Sequence, residues 1–289
     1  MRILPRNIVA KALIVIFVLI GTLLLLNYLM SVKIANNFFG KKDSNSPTFL
    51  SSYKSFEVDY EGEKIKFYTI IHPSSDEYIV YIPSSFGASN SVLNSMALKY
   101  NLIIMDYPSN KKFQNFNALN TIVETALSSD FFKNINSKNI ILFGHEIGAN
   151  IALKIASKKR FKSVLLFNPL AGERDYCNSF FTFPLCLTVV SSFGLDVQTD
   201  NSIYYFYNNT PLVKLDLNYN MFNTIYASDK FLLEIPGDSL NFNFNHMLEF
   251  YLNENVIQNE NLDYTNQSEE YEGEVKDIDG LLNPDEYLD

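Results

Sequence analysis

A carboxylate flanked by two glycines stands in the run Gly144-His145-Glu146-Ile147-Gly148. The apolar run 139–143 leads into them and the helical pattern 147–159 leads out. This is the strand-turn-helix context of a nucleophile elbow, G-x-S-x-G. Such a turn is strained and brings the helix close to the strand, so small residues must flank the exposed central side chain. Here that side chain is the carboxylate of Glu146. A helix N-terminus would keep it ionised, and an ionised carboxylate can attack carbon to form an ester intermediate.

Hydrolysing such an ester needs a base, and the chain has three histidines, His72, His145 and His246. His145 adjoins the central position and reads as structural. His72 closes the second strand, and His246 opens the last helix, where a rearranged loop would make it a base. Ser84 and Ser239 lack the strained turn that exposes an oxygen. Asp106 and Asp238 follow strands and read as loop or capping carboxylates. Cys177 and Cys186 are too few for a zinc set and stand nine residues apart, which leaves a short disulfide or two buried thiols open. No G-x-G-x-x-G follows the first strands and no phosphate-binding G-x-x-x-x-G-K-[ST] occurs, so no cofactor is expected, and no metal.

The elements that must position these residues alternate. Segments 56–60 and 64–71 read as a hairpin, followed by strands over 78–82, 102–106, 139–143, 163–167, 203–207 and 231–235. Helical patterns fall over 89–100, 118–127, 147–159, 215–226 and 245–252. Short apolar runs separated by amphipathic helices predict an α/β class: a mostly parallel eight-stranded sheet with helices on both faces. A Phe-rich insertion, 172–201, interrupts the alternation.

Composition, 47% hydrophobic with 19% charged, excludes collagen-like, coiled-coil and wholly disordered classes. Residues 258–289 hold eleven acids against Lys276, so the net charge of -9 belongs to an acidic tail and the rest is about neutral. That balance leaves no basic domain for nucleic acid. The tail is expected to be disordered. Ahead of the sheet, a short basic N-terminus (1–11) precedes an uncharged stretch, 12–32, which at ~1.5 Å per helical residue spans about one hydrocarbon core. It reads as an uncleaved signal anchor of a single-pass membrane protein. A cleavable signal peptide is the other reading. Residues 33–50 read as a stalk and 51–257 as the folded domain. Flanking bases favour a cytoplasmic N-terminus, with the domain lumenal or extracellular. Two glycosylation sequons, at Asn208 and Asn266, agree with that placement.

With these motifs in view, the chain resembles the α/β-hydrolase superfamily over about Ser55 to Leu252. FGHEIGANIALKIA is similar to the family's elbow and following helix, YIVYIPSSFGAS to its third strand and oxyanion loop, and IIMDYPSN to its fourth strand. The N-terminal anchor is similar to that of membrane-anchored α/β-hydrolase domain-containing proteins, and 172–201 stands where the family places its lid. The resemblance implies a triad, and each of its positions departs from the pattern. The nucleophile is Glu146. The acid position falls on Asn209 or Thr210 in YNNTPLV, and the histidine position on Asp238 or Leu240 in EIPGDSLNF. The backbone N–H groups of Ser85 and Ile147 could still form an oxyanion-like hole. Family members with a carboxylate nucleophile use Asp; Glu moves the attacking oxygen by ~1.5 Å, and misplacement of that order costs about a hundredfold. The implied function is a catalytically degenerate pseudo-hydrolase that binds a lipid or small apolar ligand, or a protein partner at the membrane. The alternative is an active hydrolase of acyl esters, lipids or related carbon electrophiles, using Glu146 or a displaced nucleophile.

Overall fold

A computed structural model describes residues 6–39, 53–84, 90–170, 197–208, 215–236 and 243–259. Helix α1 (Arg6–Phe39) contains the apolar stretch Ala10–Leu29, long and apolar enough to cross a membrane. Two of its polar side chains bond within the helix: Thr22 Oγ1 donates to the Val18 carbonyl and Asn27 Nδ2 to that of Leu23, both at 2.9 Å. The helix runs to Phe39, so the start of the expected stalk is helical.

The strands are β1 (Lys54–Tyr60), β2 (Glu63–Ile70), β3 (Tyr78–Ile82), β4 (Asn101–Met105), β5 (Ile140–His145), β6 (Ser163–Phe167), β7 (Val197–Thr199), β8 (Ile203–Tyr207), β9 (Ile225–Ala227) and β10 (Lys230–Glu234). Eight of them form one sheet in the order β1-β2-β4-β3-β5-β6-β8-β10, and β7 and β9 form a separate parallel pair. β2 is antiparallel to both β1 and β4, and every other pairing is parallel. One reversed strand therefore accounts for the hairpin, and β1 runs with the parallel set.

Every residue of β4, β5, β6 and β8 is buried, which is why these strands read as unbroken apolar runs. Helices α3 (Phe116–Leu127) and α4 (Ile147–Ala156) share a core with Val80, Ile82, Leu142, Val164 and Leu166 on one face. The alternate residues turn to the other face, where Phe143 meets Phe244 with ring centroids 5.9 Å apart. Helix α2 (Asn90–Ala97), which packs on β4, buries Val92, Leu93 and Met96. Asn115 caps α3, its Oδ1 accepting from the Ala118 N–H at 3.0 Å.

Several expected boundaries move. The pattern 89–100 is helical only over α2, because Leu98 to Tyr100 turn back to enter β4. α4 ends at Ala156, where Ser157 takes over as cap. The expected helix 215–226 is α5 (Leu215–Thr224), and its last residues instead form β9, where pairing with β7 overrides local propensity. The last helix, α6 (Phe244–Asn259), is longer than expected at both ends. The chain divides into two compact units, Met1–Asn245 and His246–Asp289; the described part of the second is α6 from His246 onward.

Candidate active site

Parallel strands place all their C-terminal ends on one edge of the sheet, and β5 delivers Glu146 there. Glu146 adopts φ 52°, ψ -116°, a left-handed conformation that costs a non-glycine residue ~1–3 kcal/mol. Its backbone is pinned on both sides: its N–H donates to the Phe167 carbonyl at 2.8 Å, and its carbonyl accepts from Ala149 at 2.9 Å. The two glycines are obligatory for packing. A Cβ at Gly144 would collide with the backbone of Gly148 and Ala149, and one at Gly148 with the Ile82 carbonyl at the end of β3. The strained strand-turn-helix anticipated from the spacing is therefore present in its backbone geometry.

The side chain is a mostly buried carboxylate. Glu146 Oε1 lies 3.9 Å from His145 Nε2, with the Glu146 side chain 12% exposed and His145 fully buried. On the other side of that imidazole, Nδ1 shares a 3.2 Å hydrogen bond with the Tyr81 hydroxyl. Tyr107, just past β4, donates its hydroxyl to the Pro83 carbonyl at 2.9 Å. Burial, and then the negative charge of Glu146, push both phenols well above the ordinary tyrosine range, so each is held protonated. The floor of the elbow is thus two neutral phenols and an imidazole around one carboxylate. Tyr81 and Tyr107 escaped sequence reasoning because Tyr81 reads as an apolar member of a strand pattern and Tyr107 as the first residue of the turn after one. The only signal was their position at the C-terminal ends of β3 and β4.

Of the other expected site residues, His72 and Asp106 hold bonds within their own loops. Ile147 opens α4, where N–H groups lack intrahelical partners; Ser85 lies outside the described residues, and its neighbour Ser84 is fully buried. His72 follows the reversed strand β2 and so sits at the opposite edge of the sheet, where its N–H donates to Asn101 Oδ1 at 2.9 Å. His246 is an exposed residue of α6 and belongs to the second unit. Asp106 turns back on its own loop, its Oδ1 accepting from the Tyr107 N–H at 3.0 Å. Asn209, Thr210, Asp238, Leu240, Cys177, Cys186 and Asn266 lie outside the described residues. Of the insertion 172–201, the part from Val197 is described and contributes β7. Among the described residues, no group of three or more His, Cys, Asp or Glu side chains is placed to hold a metal ion.

Asn208, after β8, is held inside the fold. It is 1% exposed, its Oδ1 accepts from Asn168 Nδ2 at 2.5 Å, and its N–H donates to Asn168 Oδ1 at 2.9 Å. This reciprocal pair holds the Asn208 side chain inside the fold. Asn168, with φ 47°, follows β6 as Asn208 follows β8, and the pair ties the C-terminal ends of two neighbouring strands together beside the elbow. Asn150 of α4 adds a second tie, exchanging two 2.8 Å bonds with the backbone of Leu170.

No family model matches the sequence. No curated protein matches it by sequence. Solved structures do match. An α/β hydrolase from Vibrio vulnificus superposes with TM-score 0.54 at 13% identity, covering 77% of this chain and 91% of that one. Est1E from Butyrivibrio proteoclasticus gives 0.52 at 12%, covering 70% and 99%. Mouse α/β-hydrolase domain-containing protein 10 gives 0.50 at 10%, covering 71% and 99%. At these identities the likeness is one of fold, and the fold of this chain is that of the α/β hydrolases.

Proposed function

We propose that the protein is a membrane-anchored pseudo-hydrolase, an α/β-hydrolase fold that acts by binding a ligand or partner rather than by turnover. The observation that carries this reading is the occupant of the elbow. The strained turn is kept, yet it presents Glu146 in place of a hydroxyl or thiol, next to phenols that stay protonated. Catalysis through an ester on Glu146 would need a base on the water that releases it. His145 is held inside β5 by Tyr81, and His72 stands at the far edge. Helix α1 supports a permanent place at a membrane, and the apolar, Phe-rich composition of 172–201 supports a lipid or other apolar ligand.

The test is to incubate the full chain with long-chain acyl esters, remove unbound material and extract what is retained. Intact ester recovered from the protein supports the reading. Released carboxylic acid overturns it and restores the active hydrolase, and failure to retain any ester turns the search to protein partners.

A further inference from the structure

The edge of the sheet opposite Glu146 carries an unexplained combination of side chains. Among the described residues outside α1, the most exposed large apolar residue is Leu98, 73% exposed in the turn before β4; Ile71, 55% exposed, follows the reversed strand β2; and Tyr53, 40% exposed, precedes β1. The pairings Lys54 with Thr69 and Ile70 with Leu102 put all three at the same end of neighbouring strands. Nothing about apolar periodicity requires these positions to be apolar, since they lie outside the strands. They are also held firmly: Asn101, 1% exposed, bonds the His72 N–H at 2.9 Å and the Ser75 and Glu77 carbonyls at 2.6 and 3.1 Å.

Bases lie beside this apolar group and farther along the same edge. Lys54 and Lys99 adjoin Tyr53 and Leu98, and Lys138, Lys159 and Arg160 are exposed in the turns before β5 and β6. The acids there are mostly neutralised: Glu77 by Lys162, Asp130 by Lys133 and Glu124 by Lys158. Asp76, and Asp200 and Asp229 farther along before β8 and β10, are the further acids described on this edge. The anchor joins the domain at this edge as well. Tyr53 is the first described residue after the connector from α1, and the thirteen residues between Phe39 and Tyr53 let those two lie at most roughly 50 Å apart when extended.

Exposed tyrosine and aliphatic side chains with bases along the same edge suit the boundary between headgroups and acyl chains, where apolar bodies insert and ammonium groups meet phosphate. We infer that this edge, through Tyr53, Ile71 and Leu98 with Lys54, Lys99, Lys159 and Arg160, docks onto the anionic phospholipid surface of the bilayer that holds α1. The inference rests on the reading of α1 as an anchor. Its consequence for the candidate site is geometric: with the N-terminal edge on the membrane, the elbow opens toward water, and its ligand or partner arrives from the aqueous side.

The chain has no tryptophan, so a single introduced indole reports its own surroundings. Full-length Leu98→Trp, Ile71→Trp and Lys111→Trp would be reconstituted into vesicles containing phosphatidylserine or only phosphatidylcholine, and the emission quenched with brominated lipid. Lys111 lies beyond β4, at the elbow's edge of the sheet. Flotation comes first, and a chain that does not float with the vesicles overturns the anchor and the docking together. In floated protein, bromine should quench Leu98→Trp and Ile71→Trp several-fold more than Lys111→Trp, more strongly with phosphatidylserine. Reversing Lys99, Lys159 and Arg160 to Glu should abolish that lipid preference. Equal quenching at all three positions, none at any, or a preference untouched by charge reversal would overturn the docking while leaving the anchor intact.

Discussion

Replacing Gly148 with alanine should destabilise the fold although it improves helix propensity. In an exposed helix the change gains about 1 kcal/mol. Here the new Cβ would sit 2.7 Å from the Ile82 carbonyl carbon and 2.8 Å from the Pro83 oxygen, and closer still to the Ile82 oxygen. These are backbone atoms at the end of a central strand, with Ile82 fully buried, so they cannot swing aside as a flexible side chain could. Relief requires α4 to lift from β3, and overpacking of a close-packed core costs ~1–3 kcal/mol or more. The expected net loss is about 2 kcal/mol, a large part of the ~5–15 kcal/mol that holds an ordinary domain together. Urea unfolding of the full chain in detergent, followed by far-UV circular dichroism, would register this as a midpoint lowered by roughly 1 M for a slope of ~1–3 kcal/mol/M. Gly62→Ala is the companion variant. Gly62 has φ 85° and open space around it, so alanine there costs only the left-handed penalty of ~1–2 kcal/mol. A Gly148→Ala protein as stable as wild type would refute the close approach and with it the elbow's geometry.

Asn208→Ala should cost about 1–3 kcal/mol by stranding buried Asn168, measurable in the same unfolding assay. Stability should fall as pH rises above 10.0, the ordinary tyrosine value. Beyond it the unfolded chain releases the Tyr81 and Tyr107 protons that the folded chain keeps, so the unfolded state binds fewer protons. Tyr81→Phe should flatten that alkaline slope, and an unchanged slope would place the titration elsewhere.

Much of this architecture was legible because the signals were local. Gly144 and Gly148 announced a close strand–helix approach, and the unbroken apolar runs announced strands buried on both faces. The order in which those strands lie was not legible, since periodicity carries no information about which neighbour β4 takes. β9 was missed because its only reason to be extended is β7, some 28 residues earlier. Asn168 and Asn208 could not be told apart from other asparagines in an Asn-rich chain until burial and their mutual bonds set them apart. Likewise Leu98, Ile71 and Tyr53 are scattered in sequence, and only the reversal of β2 gathers them on one edge.

The central claim is that an intact elbow carrying Glu146 binds without turning over. The most direct measurement is turnover of esters, thioesters, epoxides and haloalkanes by the full chain, comparing wild type with Glu146→Gln. Neither protein should turn over any of them, with both folded as judged by circular dichroism. Turnover by wild type that vanishes in Glu146→Gln would contradict the claim and identify Glu146 as a carboxylate nucleophile, and turnover by both would place a nucleophile elsewhere in the chain.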